Sequence, residues 1–96
     1  MPKQPAIYIL SNKPQGVLYV GVTSNLIKRI QEHKQGIHDG FSHKYYCNQL
    51  VYYEYFESMN DAINREEQLK AGSRKKKIVL IESCNIDWQD LYENLI

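Results

Sequence analysis

A carboxylate lies in the middle of the apolar face of a predicted helix, and this conflict constrains the fold more than any other feature of the chain. Residues 59–71 have helical periodicity, and their apolar positions fall on one stripe at about 3.6 residues per turn. The apolar members of the stripe are Met59, Ala62, Ile63 and Leu69. Glu66 lies between them, and an ionised side chain that faces a core is unfavourable unless it is paired or binds a metal. The fold must therefore supply a partner for Glu66.

The length of the chain predicts one small domain over residues 1–96. The two cysteines, Cys47 and Cys84, fit neither a disulfide framework nor the Cys/His spacing of a zinc site. No apolar run approaches the roughly 20 residues of a membrane span, and the N-terminal segment does not resemble a signal peptide. We therefore expect a reduced, cytoplasmic protein without membrane contact.

The charge of the chain is small overall but unevenly distributed. The formal net charge is +1, so bulk electrostatics do not indicate nucleic-acid binding. A basic run is nevertheless formed by Arg74, Lys75, Lys76 and Lys77. Such a run can bind a polyanion locally, although a solvated helix end explains it equally well. With Lys44, these residues are the candidate phosphate contacts.

Hydrophobic patterning predicts the order β-β-α-β-α-α-α. Alternating or β-rich runs indicate strands at residues 6–10, 17–22 and 50–56. Helical periodicity and capping residues indicate helices at residues 25–35, 59–71 and 74–83, and a short final helix after Asp87. We therefore expect an α/β fold in which a small three-stranded antiparallel or mixed sheet is flanked by helices.

Several boundaries rest on individual residues. Thr23 and Ser24 are candidate N-caps of the first helix, and Ser58 with Asp61 resembles a capping box. Residues 36–48 lack periodicity and predict a mobile surface loop, which contains Lys44. The segment after Ser73 suits a helix or, through its IVLI run, a buried strand; its lysines favour the helix. The expected apolar contacts of the final helix are Trp88, Leu91, Leu95 and Ile96.

Each residue that could carry chemistry has an ordinary structural explanation when taken alone. Tyr8 and Tyr19 suit strands, Arg29 suits a helix surface, and His33 suits a satisfied, partly buried imidazole. Glu66 has Lys70 one helical turn away, at a spacing that supports a salt bridge.

The order and spacing of these residues resemble the GIY-YIG nuclease superfamily. The first motif appears as Ala6-Ile7-Tyr8 and the second as Tyr19-Val20-Gly21, with Arg29 and His33 on the following helix. Later stretches are similar to the short, single-domain bacterial branch of that superfamily. These stretches are Ala62-Ile63-Asn64-Arg65-Glu66, Gln68-Leu69-Lys70, Leu80-Ile81-Glu82 and Asn85 with Trp88-Gln89-Asp90-Leu91. The resemblance covers nearly the whole chain and also implies a helix after Ser73.

The resemblance implies metal-dependent cleavage of phosphodiester bonds in DNA. A tyrosine, either Tyr8 or Tyr19, would position and deprotonate the attacking water, and Arg29 would stabilise charge on the phosphoryl group. His33 would act as an acid, a base or a phosphate-orienting group. Glu66 would hold a single Mg²⁺ or Mn²⁺ ion, which suits a lone carboxylate because Mg²⁺ keeps waters and binds phosphate oxygens. We expect these five side chains to line one concave surface.

The chain also departs from the family pattern. Ala6 replaces the glycine of the first motif, and Val22 stands where some excision-repair members carry a lysine. Two other functions therefore remain open: a nucleic-acid-binding module that does not cleave, and a structural or protein-interaction domain. The oligomeric state is not indicated by the sequence.

Overall fold

Three antiparallel strands and four α-helices form the domain, together with a final 3₁₀ helix. The computed structural model describes residues 4–37 and 40–96. The strands are β1 (Ala6–Ser11), β2 (Leu18–Thr23) and β3 (Gln49–Tyr55). The helices are α1 (Leu26–Lys34), α2 (Phe41–Lys44), α3 (Met59–Ala71), α4 (Arg74–Cys84) and the 3₁₀ helix (Leu91–Asn94). The expected α/β architecture with a flanked three-stranded sheet is confirmed, and the sheet is entirely antiparallel.

The strand order β2-β1-β3 places β1 at the centre of the sheet. All six residues of β1 are buried, because helices cover both faces of this strand. Its side chains alternate between the faces, as the geometry of a strand requires. Ile7 and Ile9 pack with residues of α3 and α4, whereas Tyr8 and Leu10 pack with α1 and the 3₁₀ helix. Two small cores therefore lie on opposite sides of one sheet.

Side-chain caps determine where the three longer helices begin. The Asn25 side chain accepts a hydrogen bond from the backbone N–H of Lys28, so Asn25, rather than Thr23 or Ser24, caps α1. Ser58 caps α3 and Ser73 caps α4, as predicted. Gly72 ends α3. The segment after Ser73 is thus a helix, which excludes the alternative of a buried strand.

The predicted final helix after Asp87 is wrong in both type and position. Trp88 adopts a positive φ of 55°, which interrupts regular helical geometry, and the 3₁₀ helix begins only after Asp90. The Asp90 carboxylate caps this helix by accepting a hydrogen bond from the N–H of Tyr92. It also accepts a hydrogen bond from the N–H of Leu50. Trp88 consequently packs on the Ile7 side of the sheet, whereas Leu91 and Leu95 pack on the Tyr8 side.

Two further expectations also need correction. The predicted loop at residues 36–48 contains the short helix α2, and its residues 38 and 39 lie outside the described part of the chain. Ile63 and Ile96 are exposed at 37% and 70%, so neither belongs to the core. The apolar stripe of α3 is narrower than predicted and runs through Ala62 and Leu69.

None of the helices within the described residues is both long and apolar enough to cross a bilayer.

The second motif needs its glycine because the Tyr8 ring crosses the backbone of Gly21. These two residues are direct partners in the β1–β2 register. A Cβ atom on Gly21 would lie 2.3 Å from Cζ and 2.4 Å from the hydroxyl oxygen of Tyr8. Only glycine permits this approach without displacing the ring.

We predict that Gly21→Ala destabilises the protein by about 2 kcal/mol, because an added methyl group in a packed core forces the Tyr8 ring aside. For a domain of this size, that loss lowers Tm by roughly 8–16 °C in a thermal denaturation experiment. Gly72→Ala is the matched control, since a Cβ there meets only ordinary contacts at 3.5 Å. If both variants melt like the parent, the Tyr8 ring does not lie over Gly21.

Candidate active site

A chain of buried hydrogen bonds connects Tyr8 to Ser42 through His33. The Tyr8 hydroxyl lies 2.9 Å from His33 Nε2, and His33 Nδ1 lies 2.8 Å from the Ser42 hydroxyl. Tyr8 is fully buried, and His33 and Ser42 are 6% and 2% exposed. Because both ring nitrogens have hydroxyl partners, the orientation of the His33 ring is held from two sides.

Tyr19 packs against this chain and is its solvent-facing neighbour. The Tyr19 ring centroid lies 5.4 Å from that of His33 and 6.2 Å from that of Tyr8. The Tyr8 and His33 rings meet edge to face at 5.5 Å. Tyr19 is only half-buried, whereas Tyr8 is buried completely. Of the two motif tyrosines, Tyr19 is therefore the one that an external water or substrate can contact.

Burial distinguishes the ionisation behaviour of Tyr8 from that of an ordinary tyrosine. Burial raises the pKa of the Tyr8 phenol well above its usual value of 10.0, and the neighbouring Tyr19 raises it further. A hydrogen bond and the positive charge of Arg29 oppose the increase without cancelling it. Tyr8 therefore stays neutral at physiological pH and serves as a hydrogen-bonding group.

Arg29 brings a positive charge to the edge of this cluster. It lies on α1, one helical turn before His33, and its side chain is 32% exposed. Its Nε atom pairs with Glu32 Oε1 at 3.3 Å. Arg29 also lines a cavity of about 140 Å³ with Thr23, Asn25 and Lys28. The guanidinium can therefore contact both Tyr8 and a bound anion.

Glu66 lies on the other side of the sheet from these four residues. It belongs to α3, which packs against β1 and β2 on the side of Ile7 and Ile9. Its side chain is 16% exposed and pairs with Lys70, whose Nζ lies 3.4 Å from Glu66 Oε2. The salt-bridge partner considered from the sequence is thus present. The expectation that all five side chains line one concave surface is therefore wrong for Glu66. The free edge of β2, a strand that α3 contacts, is a place where a nucleic acid could meet Glu66 and the Tyr19 side together.

The carboxylate of Glu66 fits a metal only in part. The described residues contain no group of three or more His, Cys, Asp or Glu side chains that could hold an ion. One partly exposed carboxylate still matches the usual environment of Mg²⁺, in which waters and substrate phosphates complete the coordination. The residues therefore suit an ion that arrives with the substrate, not a preformed metal cage.

A salt bridge on the same face holds α3 in position. Arg65 donates to both carboxylate oxygens of Glu54 on β3, with Nε to Oε1 at 3.2 Å and Nη2 to Oε2 at 3.0 Å. The Tyr52 hydroxyl also donates to Glu54. This arrangement fixes the rotation of α3 and hence the position of Glu66.

Two residues of the basic run, Arg74 and Lys77, donate hydrogen bonds to backbone carbonyls. Arg74 donates to the carbonyl oxygens of Gln15 and Gly16, at 2.6 and 2.7 Å, and ties α4 to the β1–β2 turn. Lys77 donates to the carbonyl of Gly72 at 2.7 Å. Lys75 and Lys76 are exposed on the first turn of α4. Lys44 lies over the Tyr45 ring, with Nζ 5.4 Å from its centroid.

Ser42 is the member of the cluster that sequence reasoning missed. It lies in the segment predicted as a loop, and a single serine there carries no pattern that would single it out. Asn85, compared with a family asparagine near the site, instead donates to the carbonyls of Val51 and Gln89 and is buried. Its role in this structure is to connect β3 with the C-terminal segment.

This chain is similar to known proteins over most of its length. The family model of the GIY-YIG catalytic domain matches residues 4–78. A UPF0213 protein of Clostridium perfringens is 38% identical over 90 residues, which cover 94% of this chain and 95% of that protein. A UPF0213 protein of Staphylococcus saprophyticus is 39% identical over 75 residues, which cover 78% of this chain and 90% of that protein.

A solved structure has the same fold. The solution NMR structure of a UPF0213 protein from Bacillus halodurans aligns with a TM-score of 0.54 at 25% identity, covering 91% of this chain and 92% of that one. The matched residues 4–78 include both tyrosine motifs, Arg29, His33 and Glu66. Because that model spans most of the sequence, this chain belongs to the GIY-YIG nuclease family.

Proposed function

We propose that this protein is a small endonuclease that hydrolyses phosphodiester bonds in DNA with the help of one divalent ion. The observation that carries the proposal is the convergence of Tyr8, Tyr19, Arg29 and His33. These residues come from two strands and one helix, yet the three rings are in mutual contact and Arg29 interacts with Tyr8. Unrelated structural roles for the four residues would not require such convergence.

The burial of each residue supports a different part for it in the proposed reaction. Tyr19 faces outward and orients the attacking water by accepting a hydrogen bond from it. As the water oxygen bonds to phosphorus, the bond from phosphorus to the leaving sugar oxygen breaks, and that oxygen takes up the proton that the water loses. Arg29 stabilises the negative charge that develops on the phosphoryl oxygens. Tyr8 and His33 are buried and act through Tyr19 and Arg29, whose positions they fix.

Glu66 would hold the ion, and Mg²⁺ or Mn²⁺ there would supply charge neutralisation at the phosphate when bound. The carboxylate is oriented by its helix, which the Arg65–Glu54 salt bridge holds against β3. Lys70 pairs with the Glu66 carboxylate when no substrate is present.

We predict that Arg29→Ala lowers the cleavage rate by about a hundredfold or more and changes DNA affinity by only a few-fold. The reason is that charge on the phosphoryl group develops mainly in the transition state. Arg29→Lys should also cleave slowly, because an ammonium group cannot make the planar two-pronged contact of a guanidinium with phosphate oxygens. Single-turnover rates and equilibrium binding on one labelled DNA, with Mg²⁺ or with EDTA, provide the measurement.

Lys28→Ala is the matched control for Arg29, since Lys28 lines the same cavity and is exposed on the same helix. It should retain most of the cleavage rate. Full activity in Arg29→Ala would remove Arg29 from the site, and a loss of binding alone would make it an anchoring residue. A parent protein that binds DNA without cutting any substrate would instead favour the binding module.

For Glu66, the predicted effect of Glu66→Gln is a loss of metal-dependent cleavage of about a hundredfold or more, with the fold intact. Lys70→Gln leaves the carboxylate in place and should keep cleavage. Calorimetry with and without Mg²⁺ and cleavage assays compare the two variants. If both lose the same stability and neither loses activity, Glu66 is only the salt-bridge partner of Lys70.

Phosphate contacts on α4 can be tested by the salt dependence of binding. Each phosphate contact contributes a slope of about −0.9 to log K against log salt on duplex DNA. We expect Lys75→Gln with Lys76→Gln to flatten the slope by up to about 1.8 in EDTA. Lys77→Gln is the control, because in the parent protein the Lys77 ammonium donates a hydrogen bond to the carbonyl of Gly72. An unchanged slope in the double variant would place the DNA-binding surface elsewhere.

A further inference from the structure

Tyr46 combines a strained backbone with an unusually exposed aromatic side chain. Its φ is 56°, in the left-handed region, and 76% of the residue is exposed. This conformation costs a residue with a Cβ roughly 1 kcal/mol, whereas glycine adopts it freely. The packing of an exposed ring does not compensate for that cost.

The strain arises from the way α2 ends. The N–H of Cys47 donates to the carbonyl of Ser42 at 2.8 Å, and the N–H of Tyr46 donates to that of His43 at 3.2 Å. This pair of bonds is a Schellman cap, in which the left-handed residue is usually glycine. The fold itself therefore favours glycine at position 46, and the tyrosine needs another explanation.

Trp88 also has a strained backbone, but there the packing of the side chain accounts for the strain. It also has a positive φ, of 55°, but it is only 4% exposed. Its ring packs in the core, and its indole N–H donates to Glu82 at 2.7 Å. Burial offsets the strain at Trp88, and nothing similar is available to a ring that is 76% exposed.

Tyr46 borders the candidate active site through His33. Both residues line a cavity of about 220 Å³, together with Lys34, Ser42, His43 and Asn48. None of the described residues that line this cavity is acidic, which suits a neighbouring phosphate. His33 also contacts Tyr8 and Tyr19, so the cavity and the candidate active site share this residue.

We propose that Tyr46 stacks on an unpaired base of the nucleic acid next to the phosphate bound at the active site. This inference rests on the proposed function and narrows its substrate to single-stranded or locally unpaired DNA. An exposed aromatic ring binds the face of a base, and base faces are available in single strands, whereas stacked neighbours cover them inside a duplex. Lys44, in the same segment, supplies a charge for the strand backbone.

The test compares Tyr46→Gly with the parent in binding to fluorescein-labelled dT12 without divalent ions. We expect affinity for dT12 to fall by roughly five- to a hundredfold, the scale of losing one base–aromatic stack. Affinity for a blunt duplex of the same length should change less than twofold. Tyr46→Phe keeps the ring and should bind dT12 like the parent. The Tm of Tyr46→Gly should equal or exceed that of the parent, because the strain is relieved.

Gln15→Gly is the matched control, since Gln15 is another exposed residue with a positive φ but has no ring. It should leave binding unchanged.

The inference is overturned if Tyr46→Gly binds dT12 as tightly as the parent, or if it loses single-strand and duplex binding equally. If the parent protein binds dT12 but cuts no DNA, the proposed nuclease function is overturned and the stacking role of Tyr46 is retained. If the parent protein binds neither dT12 nor the duplex, both the proposed nuclease function and the stacking role of Tyr46 are overturned.

Discussion

The contact between the Tyr8 ring and the backbone of Gly21 is the constraint on which the site depends. It allows a large aromatic side chain to lie flat across the neighbouring strand, where a Cβ would come within 2.3 Å of the ring. The ring then reaches across to α1, and its hydroxyl meets His33 at 2.9 Å. The same contact therefore packs one side of the sheet and directs a polar group toward the helix that carries Arg29.

The site separates residues that hold the arrangement from residues that face a substrate. Tyr8, His33 and Ser42 form a buried hydrogen-bonded chain, and burial raises the pKa of Tyr8 further above physiological pH. Tyr19 and Arg29 remain partly exposed beside that chain. Such a division suits phosphodiester chemistry, because preorganised groups stabilise charge without rearranging during the reaction. Glu66 lies on the opposite side of the sheet, on a helix that contacts the edge strand β2.

Much of the fold could be predicted because its signals are local. Strand alternation identified the three strands within a residue or two, and Ser58, Gly72 and Ser73 marked helix ends through hydrogen bonds to nearby backbone groups. The failures occurred where local signals compete with distant contacts. Asp90 caps the 3₁₀ helix while it also accepts from the N–H of Leu50 on β3, and Trp88 enters the opposite core through a positive φ. Neither arrangement produces a periodic pattern of residues from which it could be predicted.

The sequence by itself determined which chemical groups are present and on which elements they lie: two motif tyrosines on adjacent strands, Arg29 and His33 one turn apart on a helix, and Glu66 within an apolar stripe. Only the tertiary structure decided how these groups differ. It buried Tyr8 and left Tyr19 accessible, used Arg74 and Lys77 to bind backbone carbonyls, and brought Ser42 to His33. The physical reason is that burial and hydrogen-bond partners depend on residues far apart in the chain, such as Tyr8 and His33, which are 25 positions apart and meet only when α1 packs on the sheet.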